Sequence, residues 1–388
     1  MAIELLVKAG EHDRELCPVK VTLEAKKLGK EWQGLKSCTI LAADTGAKIP
    51  GQCEASEDGE AITISWILDS LNAGAQAKYT LSPGASEASV VKLSHVEGDH
   101  IDVAIRGEDF TSYRYNREQL KPYLDPVIGP FGHTVTRGDT SPEGHRHDHI
   151  HHRSIWVSYG EVNEHDFWGE GENSGRQVHK SFSKLLEGPV FGQIHANNEW
   201  ITRDETKKMV DESRDMRFYN LPRSQRIIDV NVHFVASHGD VFLGDTKEAG
   251  LISVRVYPTM TVSPPGTGKI ENAIGGIGES ETWGKMAQWC DYSGIVDSSK
   301  VGIAIFDWPK NFRYPTYWHV RNYGLMTANI FGRGTFEADP SKDGSWTLKA
   351  GQRLSLSYRI YIHVGDAKDG HVAEKYHDYI NPPAVSIV

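Results

Sequence analysis

Cysteine is scarce in this chain, which has 4 cysteines among 388 residues and none in CxxC spacing. Thiols this few and widely spaced exclude a disulfide scaffold and a cysteine zinc cluster, and they indicate free thiols in a reducing compartment. The N-terminal segment has too short an apolar run and too many early charges for a secretory signal. We therefore expect a cytoplasmic protein, or a periplasmic one if a signal has been removed.

The chain also lacks a concentrated basic stretch and a long apolar run. Lysine and arginine number 42 against 52 acidic residues, which gives a net charge of −10. Nucleic acid and anionic membranes are therefore not expected as partners, and no run approaches the roughly 20 apolar residues that cross a bilayer. The GxSxG, P-loop, HExxH and EF-hand motifs are missing, as is a GxGxxG opening a helix. Nucleotide cofactors and covalent serine hydrolysis are thus not expected.

Helical periodicity is weak, and apolar and polar residues alternate instead. The alternation is clearest over Ile62–Trp66, Ile228–Phe234 and Leu354–Ile362. It indicates strands with one buried face, as in antiparallel sheets. Residues 202–218 fit either a short helix or a long hairpin, and residues 371–379 fit one or two helical turns. We predict an all-β protein built on a large antiparallel β-sandwich.

The segment Arg114–Pro130 marks a possible division of the chain. Residues 1–115 have the pattern of a small N-terminal β-sandwich region, with short strands and polar loops. Residues 116–388 contain every distinctive motif. We therefore predict two units, of which the second is the larger sandwich and carries the functional site.

The most informative segment is Gly144–Trp168, which holds six of the 18 histidines, namely His145, His147, His149, His151, His152 and His165. Imidazoles at this density can bind a divalent metal or transfer protons near neutral pH. If the segment is extended, the odd-numbered histidines from 145 to 151 share one face. We predict a site with His152 as a catalytic residue, Arg153 as a substrate-binding cation, and His149, His151 and Asp148 as metal ligands. Solvated loop histidines are the alternative.

A glycine-framed turn, DFWGEGE from Asp166 to Glu172, follows the histidines. Its carboxylates Glu170 and Glu172 could act as general acid and base, or complete the oxygen shell of a metal. We expect Glu170 to be catalytic and Trp168 to contact substrate. A surface turn with solvated acids is the alternative.

Lys247 and Glu248 form a second polar group, at the point where a turn enters the strand Leu251–Tyr257. A turn at this position can present side chains at the mouth of a sandwich. We expect both residues to contact substrate, and ordinary solvation of a hairpin is the alternative.

The third group lies in Arg313–Gly324, where His319 and Arg321 share one face of an extended segment and Trp318 takes the other. Arg321 could clamp a carboxylate or a hydroxyl pair, His319 could transfer a proton, and Trp318 could stack on a sugar ring. Core aromatics with one solvated arginine are the alternative.

These motifs give the chain a resemblance to a bacterial family, the PmoA-like proteins. The matching segments are Asp148–Glu170, Gly244–Val256, Gly302–Gly332 and Tyr358–Asp366. The resemblance spans roughly residues 110–388, and Ile150 and Ser154 depart from it, where proline and glycine are expected. It implies a galactose-mutarotase-type β-sandwich and a genomic setting among carbohydrate-degrading genes. The family's methane oxygenase label does not suit a chain without a membrane-spanning run.

Three functional hypotheses follow, all with a sugar or glycoside as the ligand, which the 10 tryptophans and 15 tyrosines could stack against. The first is a glycoside hydrolase or lyase, acting by His and Glu acid–base chemistry on a sugar such as a 3-keto-glycoside. It could be assisted by Mn, Zn, Fe, Ni or Ca. The second is a metal-free mutarotase or epimerase. The third is a non-catalytic sugar-binding protein or a structural partner of an oxidoreductase.

Overall fold

The computed structural model describes residues 3–84, 90–141 and 148–388, and the chain there is mostly β-structure. Every strand pair in these ranges is antiparallel. The strands are β1 (Ile3–Lys8), β2 (Arg14–Glu24), β3 (Ser37–Ala42), β4 (Lys48–Ala55), β5 (Ala61–Leu71), β6 (Gln76–Pro83), β7 (Val91–Val96), β8 (His100–Ile105), β9 (Glu108–Arg114), β10 (Tyr123–Val127), β11 (Ile155–Tyr159), β12 (Arg176–Leu186), β13 (Phe191–Ile201), β14 (Lys208–Tyr219), β15 (Gln225–Val235), β16 (Val241–Leu243), β17 (Ala249–Arg255), β18 (Lys269–Asn272), β19 (Trp289–Val296), β20 (Ser299–Asp307), β21 (Tyr317–Arg321), β22 (Leu325–Asn329), β23 (Trp346–Leu348), β24 (Arg353–Val364) and β25 (Ala384–Ile387).

Helices are short and few in the described part of the chain. The α-helices are α1 (Glu279–Thr282), α2 (Arg333–Phe336) and α3 (Val372–Ile380). Single 3₁₀ turns occupy Ala25–Lys27, Lys30–Trp32, Pro130–Gly132, Pro258–Met260 and Pro340–Lys342. The all-β prediction is therefore confirmed. Within the described ranges, no helix is both long and apolar enough to span a membrane.

Two eight-stranded sheets form the main β-sandwich. The front sheet has the order β21-β22-β17-β11-β10-β9-β8-β7, and the back sheet has the order β12-β13-β14-β15-β24-β20-β19-β18. Apolar side chains from both sheets fill a single core, with Val157, Val254 and Trp318 from the front and Ile228 and Ile360 from the back. Burial of this much apolar surface from two facing sheets is the main force that holds the sandwich together.

A third sheet of seven strands, in the order β2-β5-β4-β3-β6-β1-β25, forms an N-terminal layer with its own core around Trp32 and Trp66. Leu16 and Ile67 of this layer pack with α3 against the outer face of the back sheet. The predicted boundary at residue 115 differs from this architecture, because β7, β8 and β9 pair into the front sheet. The N-terminal sheet ends at β6, and the C-terminal strand β25 returns to it.

The segment with the clearest alternation forms a strand with one face in the core, as its pattern predicts. Leu354, Leu356, Tyr358, Ile360 and Ile362 all lie on β24 and are buried in the sandwich core. Residues 208–219 form the strand β14, so the ambiguous segment at 202–218 is a hairpin arm rather than a helix. Residues 372–380 form α3, in agreement with the helical turns expected there.

Candidate functional site

The largest group of predicted site residues meets on the outer face of the front sheet. Alternation along β21, β17 and β11 sends Trp318, Val254 and Val157 into the core. His319, Arg321, Arg255 and Trp156 therefore project from the opposite face. A cavity of about 580 Å³ opens here, lined by His149, His151, Gly160, Asp166, Trp168, Gly169, Thr246, Lys247, Glu248, Arg321 and Tyr323.

Two buried arginines hold the histidine loop on this face. Arg137 donates through Nη2 to the carbonyl oxygens of Asp148 and His149, both at 3.0 Å, and also contacts the Asp148 carboxylate. Arg255 donates to the other oxygen of that carboxylate at 2.8 Å. Burial tends to raise the pKa of Asp148, but the charge of Arg255 and its neighbours outweighs burial and lowers it. Asp148 is thus an ionised anchor for the loop.

His152 lies behind the cavity wall, and its protonation state follows from one contact. Arg255 donates through Nη1 to His152 Nδ1 at 2.9 Å. A guanidinium has only donors, so Nδ1 accepts, and the proton of the neutral ring lies on Nε2. Burial is the main reason that the pKa of His152 lies well below its usual value. Its ring stacks between His149 and Trp156, with centroids 4.9 and 5.3 Å away. The structure therefore gives His152 a supporting position.

His151 is the imidazole of this loop that faces the cavity without a hydrogen-bond partner among the described residues. Burial, together with the charges of Lys121 and His149, lowers the pKa of His151 to about 4. At neutral pH the ring is uncharged, and it can accept a proton from a bound molecule. His151, which we predicted as a metal ligand, is thus the best-placed proton acceptor at the cavity.

We expect His151 to stay neutral in the folded protein until the pH falls to about 4. An NMR titration of histidine-labelled protein measures this directly, with the His151 signal assigned through His151→Asn. A His151 signal that titrates near the unperturbed value of about 6.5 would contradict the buried, uncharged ring.

The same pKa shift makes folding depend on pH. Between about pH 6.5 and 4 the unfolded chain binds a proton at His151 that the folded chain does not. As far as His151 is concerned, the free energy of unfolding is therefore highest above pH 6.5, and it falls as the pH drops toward 4. Urea titrations across this range should show a flatter pH dependence for His151→Asn than for the wild type. Equal slopes would contradict the shift.

Lys247 and Glu248 form the opposite wall, where their side chains contact each other. Burial alone would raise the pKa of Glu248, but the hydrogen bond and the positive charge of Lys247 lower it. The carboxylate therefore stays ionised at neutral pH. The Lys247 carbonyl oxygen accepts a hydrogen bond from His319 Nδ1 at 2.7 Å.

His319 does not line the cavity, although it projects from the same sheet face. It is buried, and burial lowers its pKa to about 4. Because its Nδ1 donates to the Lys247 carbonyl, the lone pair is on Nε2, which is buried without a partner in the described residues. The ring supports the turn that carries Lys247 and Glu248.

Aromatic rings and a guanidinium complete the cavity. Tyr323 stacks on His149 with centroids 4.7 Å apart, and its ring lies under the Arg255 and Arg321 cations at 4.8 and 5.5 Å. Arg321 pairs with Glu279 at 2.9 Å and keeps a third of its side chain exposed. Trp168 contributes its ring to the wall, and its indole N–H is buried and has no hydrogen-bond partner among the residues that the structure describes.

Glu170 and Arg153 belong to a buried ion-pair network beside the cavity. Arg153 donates Nε to Glu170 at 2.9 Å and also pairs with Asp139, and the Lys121 ammonium lies 3.6 Å from Glu170. Burial would raise the pKa of Glu170, but the Arg153 hydrogen bond and the Lys121 charge prevail and lower it. A carboxylate held ionised in this way cannot serve as a general acid at neutral pH.

Six of the predicted site residues line the cavity: His149, His151, Trp168, Lys247, Glu248 and Arg321. Trp318, predicted to stack on a sugar, is fully buried, and its indole N–H donates to the Ala287 carbonyl. Sequence reasoning missed Tyr323, although it continues the odd-numbered series of His319 and Arg321. It also missed Lys121, whose pKa burial lowers to about 8, and no local motif marks that lysine.

A metal site does not assemble from the described residues, among which no group of three or more His, Cys, Asp or Glu side chains is arranged to hold an ion. The Asp148 carboxylate forms ion pairs with Arg137 and Arg255. His145 and His147 lie outside the described residues. The metal set of His149, His151 and Asp148 remains a prediction.

Comparisons with known proteins identify a family and three remote structural neighbours. The sequence profile of a family of unknown function, DUF6807, matches residues 100–377. This overlaps the range that resembles PmoA-like proteins, although the family model itself does not carry that name. No curated protein sequence matches the chain.

The structural neighbours are all of low identity. A glycosyl hydrolase family 38 protein and an alpha-mannosidase, both from Enterococcus faecalis, share 9% identity over 100% of this chain, with TM-scores of 0.44 and 0.42. The chain spans about half of their lengths, 47% and 46%. A GalM/aldose epimerase homologue from C. elegans shares 10% identity over 72% of this chain and 100% of its own, with a TM-score of 0.32.

Proposed function

The chain belongs to DUF6807, a family of unknown function, and we propose from the site itself that it is a carbohydrate-active enzyme that works by acid–base chemistry. The observation that supports the proposal is the cavity lined by the His151 imidazole, which has no hydrogen-bond partner within the described ranges, and by the Glu248 carboxylate and the Lys247 ammonium. A proton acceptor and a proton donor at one cavity are the minimum that general acid–base catalysis needs. The identification with PmoA-like proteins is part of this proposal.

Sugar recognition is supported by the chemistry of the walls. The rings of Tyr323 and Trp168 can stack on the apolar face of a pyranose. The Arg321 guanidinium can donate hydrogen bonds to sugar hydroxyl groups, and the Glu248 carboxylate can accept them. The volume of about 580 Å³ lies within the usual range for small-ligand sites.

The finer proposal is cleavage of a glycoside that carries a keto group at C3. His151 removes the proton from C2, which the neighbouring carbonyl acidifies. The C2 electron pair forms the C1–C2 double bond while the C1–O bond breaks. The leaving oxygen keeps the electrons of that bond and takes a proton from Lys247. The products are an unsaturated keto sugar and a free alcohol, and the step uses no water and no redox partner.

The low basicity of His151 favours this substrate over an unmodified glycoside. An imidazole whose pKa lies near 4 is a weak base, and it can remove only a proton that the substrate itself acidifies. Arg321, which lines the same cavity, can stabilise the negative charge that develops on the C3 carbonyl oxygen as the C2 proton leaves. In this scheme His152, His319 and Glu170 support the site instead of exchanging protons with substrate.

An assay with chromogenic aryl glycosides tests the proposal. We expect aryl glucosides, galactosides and mannosides oxidised at C3 to release the aryl alcohol, and the unoxidised glycosides to stay intact. Repeating the assay with a chelator, and with added Mn, Zn, Fe, Ni or Ca ions, tests metal assistance. Catalysed mutarotation of free sugars without aryl release would instead favour the mutarotase. Binding without any turnover would favour a sugar-binding protein.

We expect Tyr323→Leu to weaken binding of the oxidised aryl glycoside by about 2- to 10-fold, because stacking on an aromatic face contributes roughly 0.5–1.5 kcal/mol. Tyr323→Phe keeps the ring and should bind nearly as well as the wild type. Isothermal titration calorimetry measures both variants. Equal losses in the two variants would assign the effect to the hydroxyl group rather than to stacking.

A further inference from the structure

A second cleft lies on the other side of the molecule, between the N-terminal sheet and the outer face of the back sheet. Its volume is about 570 Å³. The lining residues come from β2, β5, β14, β15, β24 and the end of α3, together with Val190, Trp308, Pro382 and Pro383. None of them belongs to the first cavity, so this is a separate site.

The strand register arranges the floor of the cleft as two rows of polar side chains. One row runs Asp215, Asn231 and Ser357 across β14, β15 and β24, because Asp215 pairs with Asn231 and Asn231 with Ser357. The next row on the same face runs Arg217, Asp229 and Arg359. A floor of this kind offers a grid of hydrogen-bonding groups to a flat, extended ligand.

The charges in the cleft are compensated within the protein. Its walls carry three cations and three carboxylates. Arg359 forms two hydrogen bonds to Asp229, at 2.6 and 2.8 Å, Arg217 pairs with Glu54 at 3.3 Å, and Asp378 pairs with Arg14. A site without excess charge has no electrostatic preference for an ionic ligand.

Lys20 and Asp215 supply the remaining charges, one of each sign, and the other polar groups are uncharged. The amide of Asn231, the hydroxyl of Ser357 and the hydroxyl of Tyr379 line the cleft, and none has a hydrogen-bond partner in the described ranges. The indole N–H of Trp66, another lining residue, is buried and lacks an acceptor there too.

Aromatic faces stand beside these groups. Trp308 is half-buried and packs against Tyr379 with ring centroids 5.0 Å apart, and Arg359 lies over the Tyr379 ring at 4.5 Å. Ring faces beside uncharged donors and acceptors suit a molecule that has apolar C–H faces and many hydroxyl groups.

We propose that this cleft is a second binding site, for a neutral oligosaccharide, with Trp308 as the stacking platform and Asn231 and Ser357 as hydroxyl partners. The site lies across the sandwich from the first cavity. It can therefore hold a glycan chain independently of the reaction proposed there, and its existence does not depend on that reaction.

Indole N–H signals in an NMR titration test the proposal on the full chain. The probes are maltotriose, cellotriose, xylotriose and the anionic trigalacturonate, each up to roughly 10 mM, where a ligand with a millimolar Kd is largely bound. We expect at least one neutral trisaccharide to shift the Trp308 and Trp66 signals saturably. Trp168 reports the first cavity, so binding at the two sites is separated in one spectrum.

Variants locate the binding site. Trp308→Ala should weaken the neutral trisaccharide by about 2- to 10-fold, the usual contribution of one stacked ring, and Asn231→Ala should weaken it as well. His151→Asn should leave the Trp66 shift unchanged. The proposal is overturned if no neutral trisaccharide shifts Trp66 or Trp308, if both cleft variants bind as the wild type does, or if trigalacturonate binds more tightly than every neutral probe.

Discussion

Replacing His151 by asparagine should lower kcat on a C3-oxidised aryl glycoside by about 10²- to 10⁴-fold, the usual contribution of a general base. Asparagine keeps a polar side chain of similar size but cannot accept the C2 proton. KM should change much less, because Tyr323, Trp168 and Arg321 still form the walls of the cavity. Steady-state kinetics with the chromogenic substrate separates the two parameters.

His179→Asn is the matched control for this variant. Burial lowers the pKa of His179 to about 4, as it does for His151. His179 lies on β12 of the back sheet and does not line the cavity. Its replacement should leave kcat unchanged. If His151→Asn retained full activity, or if both variants lost it equally, proton transfer by His151 would be wrong.

The pH profile provides a separate check on the same residue. Because the imidazole must be neutral to accept a proton, kcat/KM should fall as the pH drops through the lowered pKa of His151, near 4, and not through about 6.5. The residual activity of His151→Asn should lack this acidic limb.

The β-fold could be predicted from the sequence wherever one face of a strand is buried. On β24 and β21 the period of two separates the face that enters the sandwich core from the opposite face without any long-range information. The same rule sends Trp318 into the core and His319 and Arg321 outward. The boundary between the N-terminal sheet and the front sheet was harder to predict. The alternating pattern of β7–β9 is compatible with pairing in either sheet.

The candidate site could be located from sequence more readily than its residues could be assigned. The density of histidines marks the right segment, but the described part of the loop is a turn, with His149 at a φ of +42° and the His152 N–H bonded to the His149 carbonyl at 2.9 Å. Alternation therefore fails there. Arg255, which is 103 residues from His152 in sequence, donates to its Nδ1 and holds that ring behind the cavity wall, whereas His151 lines the cavity.

Arg153→Met should destabilise the protein by about 3–5 kcal/mol, the range for removing one partner of a buried ion pair. The Arg153 side chain is 11% exposed and the Glu170 side chain 7% exposed, so the substitution leaves the Glu170 carboxylate buried with the Lys121 ammonium, 3.6 Å away, as its remaining ion-pair partner among the described residues. Urea titration at neutral pH measures the free energy of unfolding. Arg333→Met is the matched control, because that arginine forms an exposed pair with Glu337 and should matter little.

The pH dependence and a double variant distinguish this structural role from substrate binding. The pKa of Glu170 is lowered in the folded state, so the stability that the pair provides is present above the unfolded pKa and is lost as the pH falls through the folded one. The difference between wild type and Arg153→Met should therefore shrink in acid. Adding Glu170→Gln to Arg153→Met removes the buried negative charge of Glu170 and should restore part of the lost stability. If Arg153→Met instead kept wild-type stability and only raised KM, Arg153 would be the substrate-binding residue that the sequence alone predicts.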